Sequence, residues 1–244
     1  MDCPTCGSAN TVKNGSSRHG KPKRQCNSCG RQFTPDPVER SISQERWALV
    51  DKLLLEKIPL AGISRVTGIS ERWLQSYANK KYKEVPQKIE VTAKKKGKLT
   101  IQADELWSFV NDKGHQQWVW LALDQETREI VGVAIGARDL SGARALWESL
   151  PAVYRQCATT YTDFWVCYEE VFPRSRHRPV GKESGRTSYI ERLNNTLRQR
   201  ISRLVRKTLS FSKKLENHIG AIWLFVHHYN SNIRKKLCLI TNRS

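Results

Sequence analysis

Cys3-Pro-Thr-Cys6 and Cys26-Asn-Ser-Cys29 constrain this 244-residue chain more than any other feature it carries. Two Cys-x-x-Cys pairs separated by 19 residues match the spacing of a four-thiolate structural zinc site, in which each pair forms one knuckle around a tetrahedral ion. Gly7 and Gly30 follow the second cysteine of each pair, where the tight turn favours a residue that tolerates positive φ. The intervening segment, "KNGSSRHGKPKRQC", is basic and rich in turn formers. It lacks the apolar mass to fold unaided, so metal binding would supply the folding energy. The chain has seven cysteines, an odd count, and "MDCPTCGSAN" offers no apolar signal segment. Both facts argue against a disulfide framework and for a cytoplasmic, nucleoid-associated protein. Cys157, Cys167 and Cys238 are scattered and read as ordinary core or surface residues.

Charge divides sharply along the chain. The formal net charge of +19 splits into +11 over residues 1–98, −6 over 99–170 and +14 over 171–244. Two basic blocks of this size point to a polyanionic partner, most often nucleic acid, held through phosphate contacts with counterion release. Carboxylates near phosphate bring no benefit unless something neutralises them, and a divalent cation does so. The sequence has no apolar run of about 18 residues, so a membrane span is excluded. Its 39% hydrophobic content suffices for a small module plus one larger domain.

Residues 1–35 are the expected zinc ribbon, and residues 41–83 read as helices. Trp47, Val50, Leu53 and Leu54 recur at helical spacing, and Pro59 ends that helix. In "PLAGISRVTGISERWLQSYANKKYK" a short helix with Ile63 and Val66 inward leads through a turn at Gly68 to a Ser70 N-cap. A second helix follows with Trp73, Leu74 and Tyr77. This is a helix-turn-helix pattern, whose second helix would enter the major groove. Arg72, Gln75, Asn79 and Lys80 are its candidate DNA contacts, with Glu71 and Ser76 on the same polar side. Residues 84–98 form a basic linker. From residue 99 to 244 the order is strands, helix, strand, helix, which indicates a mixed α/β sheet covered by helices. "QQWVWLALD" and "REIVGVAIG" form an antiparallel hairpin across "QETR", and "SGARALWESL" is a helix capped by Ser141. "CATTYTD" and "SRHRPVG" are short strands, with a helical stretch "FWVCYEEVF" between them. Ile190, Leu193, Leu197, Ile201 and Leu204 mark a long amphipathic helix, and "SKKLENHIGAIWLFVHHYN" is a further, core helix.

Three acids stand out. Asp104 and Asp163 each end an apolar strand, and ligands bind beyond the carboxyl ends of strands in open α/β sheets. Glu191 follows Ile190 on the long helix and shares a face with Asn194, Asn195 and Arg198. On the residues alone, Glu105 competes with Asp104 for the first position. Three converging carboxylates suit two magnesium ions about 4 Å apart, which activate an attacking oxygen and stabilise a leaving one. Basic neighbours such as Arg198 would position the strand and neutralise the transition state. Trp107 and Trp165 flank two of the acids and would buttress them by packing. His177, His218, His227 and His228 read as structural or phosphate-contacting residues.

"DELWSFV", "TDFW", "SYIERLNNTLRQRISRLVRKTLSFSKK" and "HIGAIWLFVHHYN", behind the cysteine ribbon and the helix-turn-helix, resemble the insertion-element-one family of bacterial transposases. The resemblance runs over nearly the whole chain. It implies a ribonuclease-H-like catalytic domain and a DDE triad at Asp104, Asp163 and Glu191. It further implies magnesium-dependent 3′-end cleavage and strand transfer on the element's terminal inverted repeats. Because two ends must be brought together, a homodimer or larger synaptic assembly is expected. Two other readings remain: a DNA-binding regulator with an inactive ribonuclease-H-like domain, and a nuclease without strand transfer.

Overall fold

The first 35 residues form three short strands, β1 (Thr11–Ser16), β2 (Pro22–Cys26) and β3 (Gln32–Phe33), paired antiparallel in that order. The computed structural model describes residues 1–18, 20–35, 42–204 and 211–241 and divides into two compact units, Met1–Gln44 and Glu45–Ser244. Residues 205–210, part of the basic run in the long motif quoted above, lie outside the described residues, as do 36–41, where the helical region was expected to begin. Among the described residues of the first unit, the buried apolar side chains are Cys3 and Cys26 alone. Its interior is therefore made of sulfur, not hydrocarbon. The two knuckles are alike: Gly7 and Gly30 adopt φ of 69° and 75°, and their N–H groups donate to the carbonyls of Cys3 and Cys26, each at 2.9 Å.

The second unit opens with α1 (Gln44–Leu53), α2 (Leu60–Thr67) and α3 (Glu71–Glu84). Gly68 ends α2 at φ 69°, and the Ser70 hydroxyl accepts from the Trp73 N–H to start α3. Ile63 is buried as expected, but Val66 is 64% exposed. On so short a helix the apolar face is one residue wide per turn, and Thr67 takes the inward place by bonding the Ile63 carbonyl at 2.7 Å. Trp73 and Tyr77 stack at 5.2 Å, and Trp47 of α1 packs edge-on against both.

The sheet has five strands in the order β6-β5-β4-β7-β8. Here β4 is Leu99–Val110, β5 Asp112–Asp124, β6 Ile130–Gly136, β7 Ala158–Thr162 and β8 His177–Pro179. The first three pair antiparallel, whereas β4–β7 and β7–β8 are parallel. This mixed α/β architecture fits the ribonuclease-H-like domain expected from the resemblance. One face carries Leu99, Ile101, Ala103 and Trp120 against α4 (Leu140–Ser149), α5 (Ala152–Cys157) and α6 (Val166–Val171). The other meets α7 (Ser188–Arg200) and α8 (Leu215–Thr241). With helices on both faces, β4 is buried along nearly its full length.

Three local expectations need correction. Asp104 does not end its strand: β4 continues to Val110 because β5 pairs with it throughout, and only the parallel pairing with β7 stops, at Gln102. Helix α4 is capped by Asp139, whose carboxylate accepts the N–H groups of Ser141 and Gly142, so Ser141 lies inside the helix. Helix α7 stops at Arg200; Ile201 is extended, and it and Leu204 stay buried after the backbone has left the helix. Apolar spacing reports burial, and burial outlasts the helix.

Helix α8 crosses α3 where Gly220 faces Tyr82, and a methyl on Gly220 would run into the Tyr82 carbonyl and Cβ. Both contacts are with the main body of α3, so the helices must separate. Gly220→Ala is expected to lower stability by about 1–3 kcal/mol, read as a fall in thermal midpoint with the circular dichroism of the folded state retained.

Candidate active site

The parallel pairing of β4 with β7 sets the site. Leu99 pairs with Ala158, Ile101 with Thr160 and Gln102 with Tyr161. Continued by two residues, the same register brings Asp104 beside Asp163, one strand spacing of about 4.8 Å away. Oxygens of Asp104, Glu105 and Asp163 lie within 4.8 Å of one another. Asp163 sits just past β7, where its carboxylate accepts the Trp165 N–H at 3.1 Å. Behind it, the buried Thr162 hydroxyl donates to the Asp163 carbonyl and meets His177 Nε2 at 2.8 Å. His177 is thus structural, as is His218, buried against Ser108 at 2.9 Å and pushed down to about 4 by that burial and by Arg203.

Helix α7 brings the third acid. The Gln102 side chain of β4 accepts the N–H groups of Tyr189 and Ile190, at 3.0 and 2.9 Å, donors that a helix N-terminus otherwise leaves unsatisfied. One turn on, Asn194 Nδ2 donates to Asp104 Oδ2 at 2.7 Å. Glu191, between these anchors, accepts the Thr187 hydroxyl at 2.9 Å. It stands outside the close group of three but lines the same cleft of about 480 Å³, with Asp104, Asp163, Lys182 and Arg198. Asn194 Oδ1 is buried in this cleft with no hydrogen-bond partner among the described residues. An unpartnered amide oxygen beside clustered carboxylates is a donor set that suits a hard, oxygen-seeking cation such as magnesium.

Glu105 has a different fate. Its side chain, 2% exposed, accepts Arg138 Nη2 at 2.7 Å and Nε at 2.8 Å on one oxygen, and the buried Tyr168 hydroxyl at 2.7 Å on the other. Both oxygens are committed to protein donors, which favours Asp104 as the first acid of a triad. Arg138, Trp118 and Tyr168 gave no signal in the sequence: they are an ordinary loop, strand and helix residue until the fold closes around Glu105. Gln102 was equally silent. Neither tryptophan buttresses its acid by ring packing: Trp165 holds Asp163 through its main-chain N–H while its ring packs on Trp120 and Tyr168, and Trp107 packs on Phe109, at 5.5 Å between rings.

A family model described as IS1 transposase matches residues 98–232, a span of more than half of the chain within which all three acids lie. The chain belongs to the IS1 transposase family. Similar proteins include the insertion element iso-IS1n protein InsB of Shigella dysenteriae, 36% identical over 131 residues, which are 54% of this chain and 96% of that protein. The insertion element IS1 protein InsB of Shigella flexneri is 36% identical over 133 residues, covering 54% and 98%. An InsB protein of Escherichia coli strain K12 is 33% identical over 133 residues, covering 54% and 77%. Membership in the IS1 family makes the chain a transposase, a DNA-cleaving enzyme acting on a DNA substrate. Among the described residues no helix is long and apolar enough to cross a membrane.

Residues 1–97 fall outside the family match, so their sites rest on geometry alone. The sulfurs of Cys3, Cys6, Cys26 and Cys29 lie within 4.8 Å of one another, with Cys3–Cys29 and Cys6–Cys26 at 3.6 Å. Four ligands about 2.3 Å from a tetrahedral zinc stand about 3.8 Å apart, so the set fits that ion. Backbone N–H groups of Cys6 and Thr5 lower the Cys3 thiol to about 6. Cys6 receives a Ser8 N–H, which lowers it, yet its neighbours Cys29 and Cys26 carry it up to about 12. Arg72, Gln75 and Lys80 are exposed on α3, and Asn79, half-buried, accepts Gln75 Nε2 at 2.7 Å. Lys80 is 3.9 Å from Glu84, an exposed pair of little energetic weight.

Burial raises the Asp104 pKa from 3.8 to about 7, Glu105 and Asp163 add repulsion, and the Glu105 N–H and Asn194 amide partly offset both. The folded chain therefore holds a proton that the unfolded chain loses near pH 4. Stability from this group is complete below pH 3.8 and is lost as pH rises through about 7, a swing of about 4 kcal/mol at most. In chelator, Asp104→Asn is expected to melt progressively above the parent protein as pH climbs from 4 to 8. Parallel pH profiles of the two melting curves would refute the assignment.

Proposed function

We propose that this transposase binds the terminal inverted repeats of an insertion element, cuts one strand at each end and joins the freed 3′ ends to target DNA. The observation that carries the reading is the shared cleft of Asp104, Asp163 and Glu191, flanked by Lys182 and Arg198. In cleavage a water oxygen attacks phosphorus and the 3′ oxygen leaves as the hydroxyl. In joining, that hydroxyl attacks a target phosphorus and a target 3′ oxygen leaves. Both are in-line displacements, so one site performs both. Magnesium ions held by the three carboxylates would supply charge neutralisation at the phosphate and activation of the attacking oxygen. The chain's own residues orient that site. Gln102 and Asn194 fix α7 to β4, Trp165 holds Asp163, and Lys182 and Arg198 attract the DNA backbone.

End recognition is proposed for the ribbon of residues 1–35, organised by zinc on Cys3, Cys6, Cys26 and Cys29, and for the helix-turn-helix of residues 41–83. Arg72, Gln75, Asn79 and Lys80 would reach bases and phosphates from α3. Residues 84–98 link these to the catalytic part, 99–244, and within them Lys94 is tied to Glu126 at 2.6 Å. A dimer or larger assembly acting at the nucleoid would pair the two ends.

Converting Asp104, Asp163 or Glu191 to Ala is expected to abolish cleavage and joining of labelled end DNA in magnesium, a loss of at least about 10³-fold, while end binding persists in gel shift. Undiminished joining by the variants would instead favour a regulator with an inactive domain, and cutting without joining a plain nuclease. Stripping zinc with a chelator, or Cys26→Ser, is expected to abolish end binding while leaving the melting of residues 45–244 intact. Unchanged end affinity after metal removal would reject the ribbon's role.

A further inference from the structure

Arg138 is held more firmly than a residue at the mouth of a cleft ordinarily is. It lies between β6 and α4 on a short connection fixed at both sides. The Trp120 indole N–H donates to the Ala137 carbonyl at 3.1 Å, and Asp139 caps α4. Its guanidinium carbon sits 4.7 Å from the ring centroids of both Trp118 and Trp165. Two of its three nitrogens, Nε and Nη2, are spent on buried Glu105, which Tyr168 holds from the other side. The third nitrogen, Nη1, makes none of these bonds, and the side chain is 40% exposed on the cleft that holds Asp104, Asp163 and Glu191. A planar fork with one edge anchored and the other open is suited to an oxygen of a phosphate. Stacking on two indoles strengthens the hold on the cation without using its donors.

We infer that Arg138 is a phosphate-binding residue of the catalytic cleft, gripping a non-bridging oxygen of the DNA backbone beside the bond to be cut. Glu105, Tyr168, Trp118 and Trp165 are its positioning residues. The inference rests on the catalytic reading of the cleft given above and adds one substrate contact to it. It explains why two acids stand side by side in "DELW": Asp104 faces the reacting phosphate, and Glu105 aims the arginine that steadies the neighbouring backbone. An arginine fixed before DNA arrives loses little side-chain freedom on binding.

The test is a phosphate-by-phosphate comparison. Labelled duplexes carrying the element's terminal sequence are made with single neutral methylphosphonates near the cleavage position, and their affinities are measured for the parent protein and for Arg138→Ala. Because that variant leaves a buried carboxylate unpaired, the same series is run on the double variant Glu105→Gln, Arg138→Ala, which removes both charges. One methylphosphonate position is expected to weaken parent binding about tenfold and to have no further effect once Arg138 is gone, while the other positions behave alike in all three proteins. A merely structural Arg138 would lower affinity uniformly and leave every position's effect unchanged, which overturns the proposal. Magnesium-dependent cleavage by the parent with no such position overturns this inference alone. Failure of the parent to bind or cut end DNA overturns the catalytic reading with it.

Discussion

Everything at the cleft depends on one pairing, the parallel register of β4 with β7. A parallel neighbour in register puts residues of equal rank side by side, so two acids 59 positions apart in the chain become neighbours because each follows Gln102 or Tyr161 by two. A slip of one residue would turn one aspartate to the opposite face of the sheet. The register is secured by what surrounds it. Leu99, Ile101 and Ala158 are buried in a common core with Tyr154 and Leu146, and β5 clamps β4 along its other edge.

A parallel pair alone would leave Asp104 in a half-built site. Helix α7 completes it through neutral hydrogen bonds, the Gln102 carbonyl to two helix amides and the Asn194 amide to Asp104. Neutral donors hold the carboxylate in place without cancelling its charge, so it stays available to a cation. Glu105 receives the opposite treatment, with Arg138 as its counter-charge. Removing Arg138 would leave the buried Glu105 carboxylate uncompensated, a loss of about 3–5 kcal/mol, whereas the part-exposed Arg138 can be hydrated if Glu105 is removed.

The sequence made the order of elements readable because strands and helices here carry strong apolar periodicity, and the hairpin of β5 and β6 sits where "QETR" interrupts two apolar runs. The acids were readable because carboxylates are conspicuous in a chain of charge +19. Their exact surroundings were not. The length of β4 past Asp104 is set by pairing with β5, which no local signal announces. The end of α7 at Arg200 was hidden because Ile201 and Leu204 remain buried outside the helix. Gln102, Arg138 and Tyr168 act through partners between 30 and 90 positions away, and such partners become visible only in three dimensions.

The acidic middle block, −6 between two basic ones, now resolves into different kinds of carboxylate. Asp124 is buried and accepts the Tyr154 hydroxyl at 2.6 Å and two turn amides, which fixes the end of β5. Glu129, fully buried, accepts Thr92 and so ties the segment ahead of β4 to the hairpin. Asp139 caps α4, and Glu105 holds Arg138. These acids are consumed by the fold, each against donors that satisfy it. Asp104 differs in kind: burial and its acidic neighbours hold its pKa near 7, well above 3.8, a position that costs stability in the ion-free chain. Its two donors, the Glu105 N–H and the Asn194 amide, are neutral and leave no counter-charge beside it, and oxygen ligands clustered in this way fit a divalent cation.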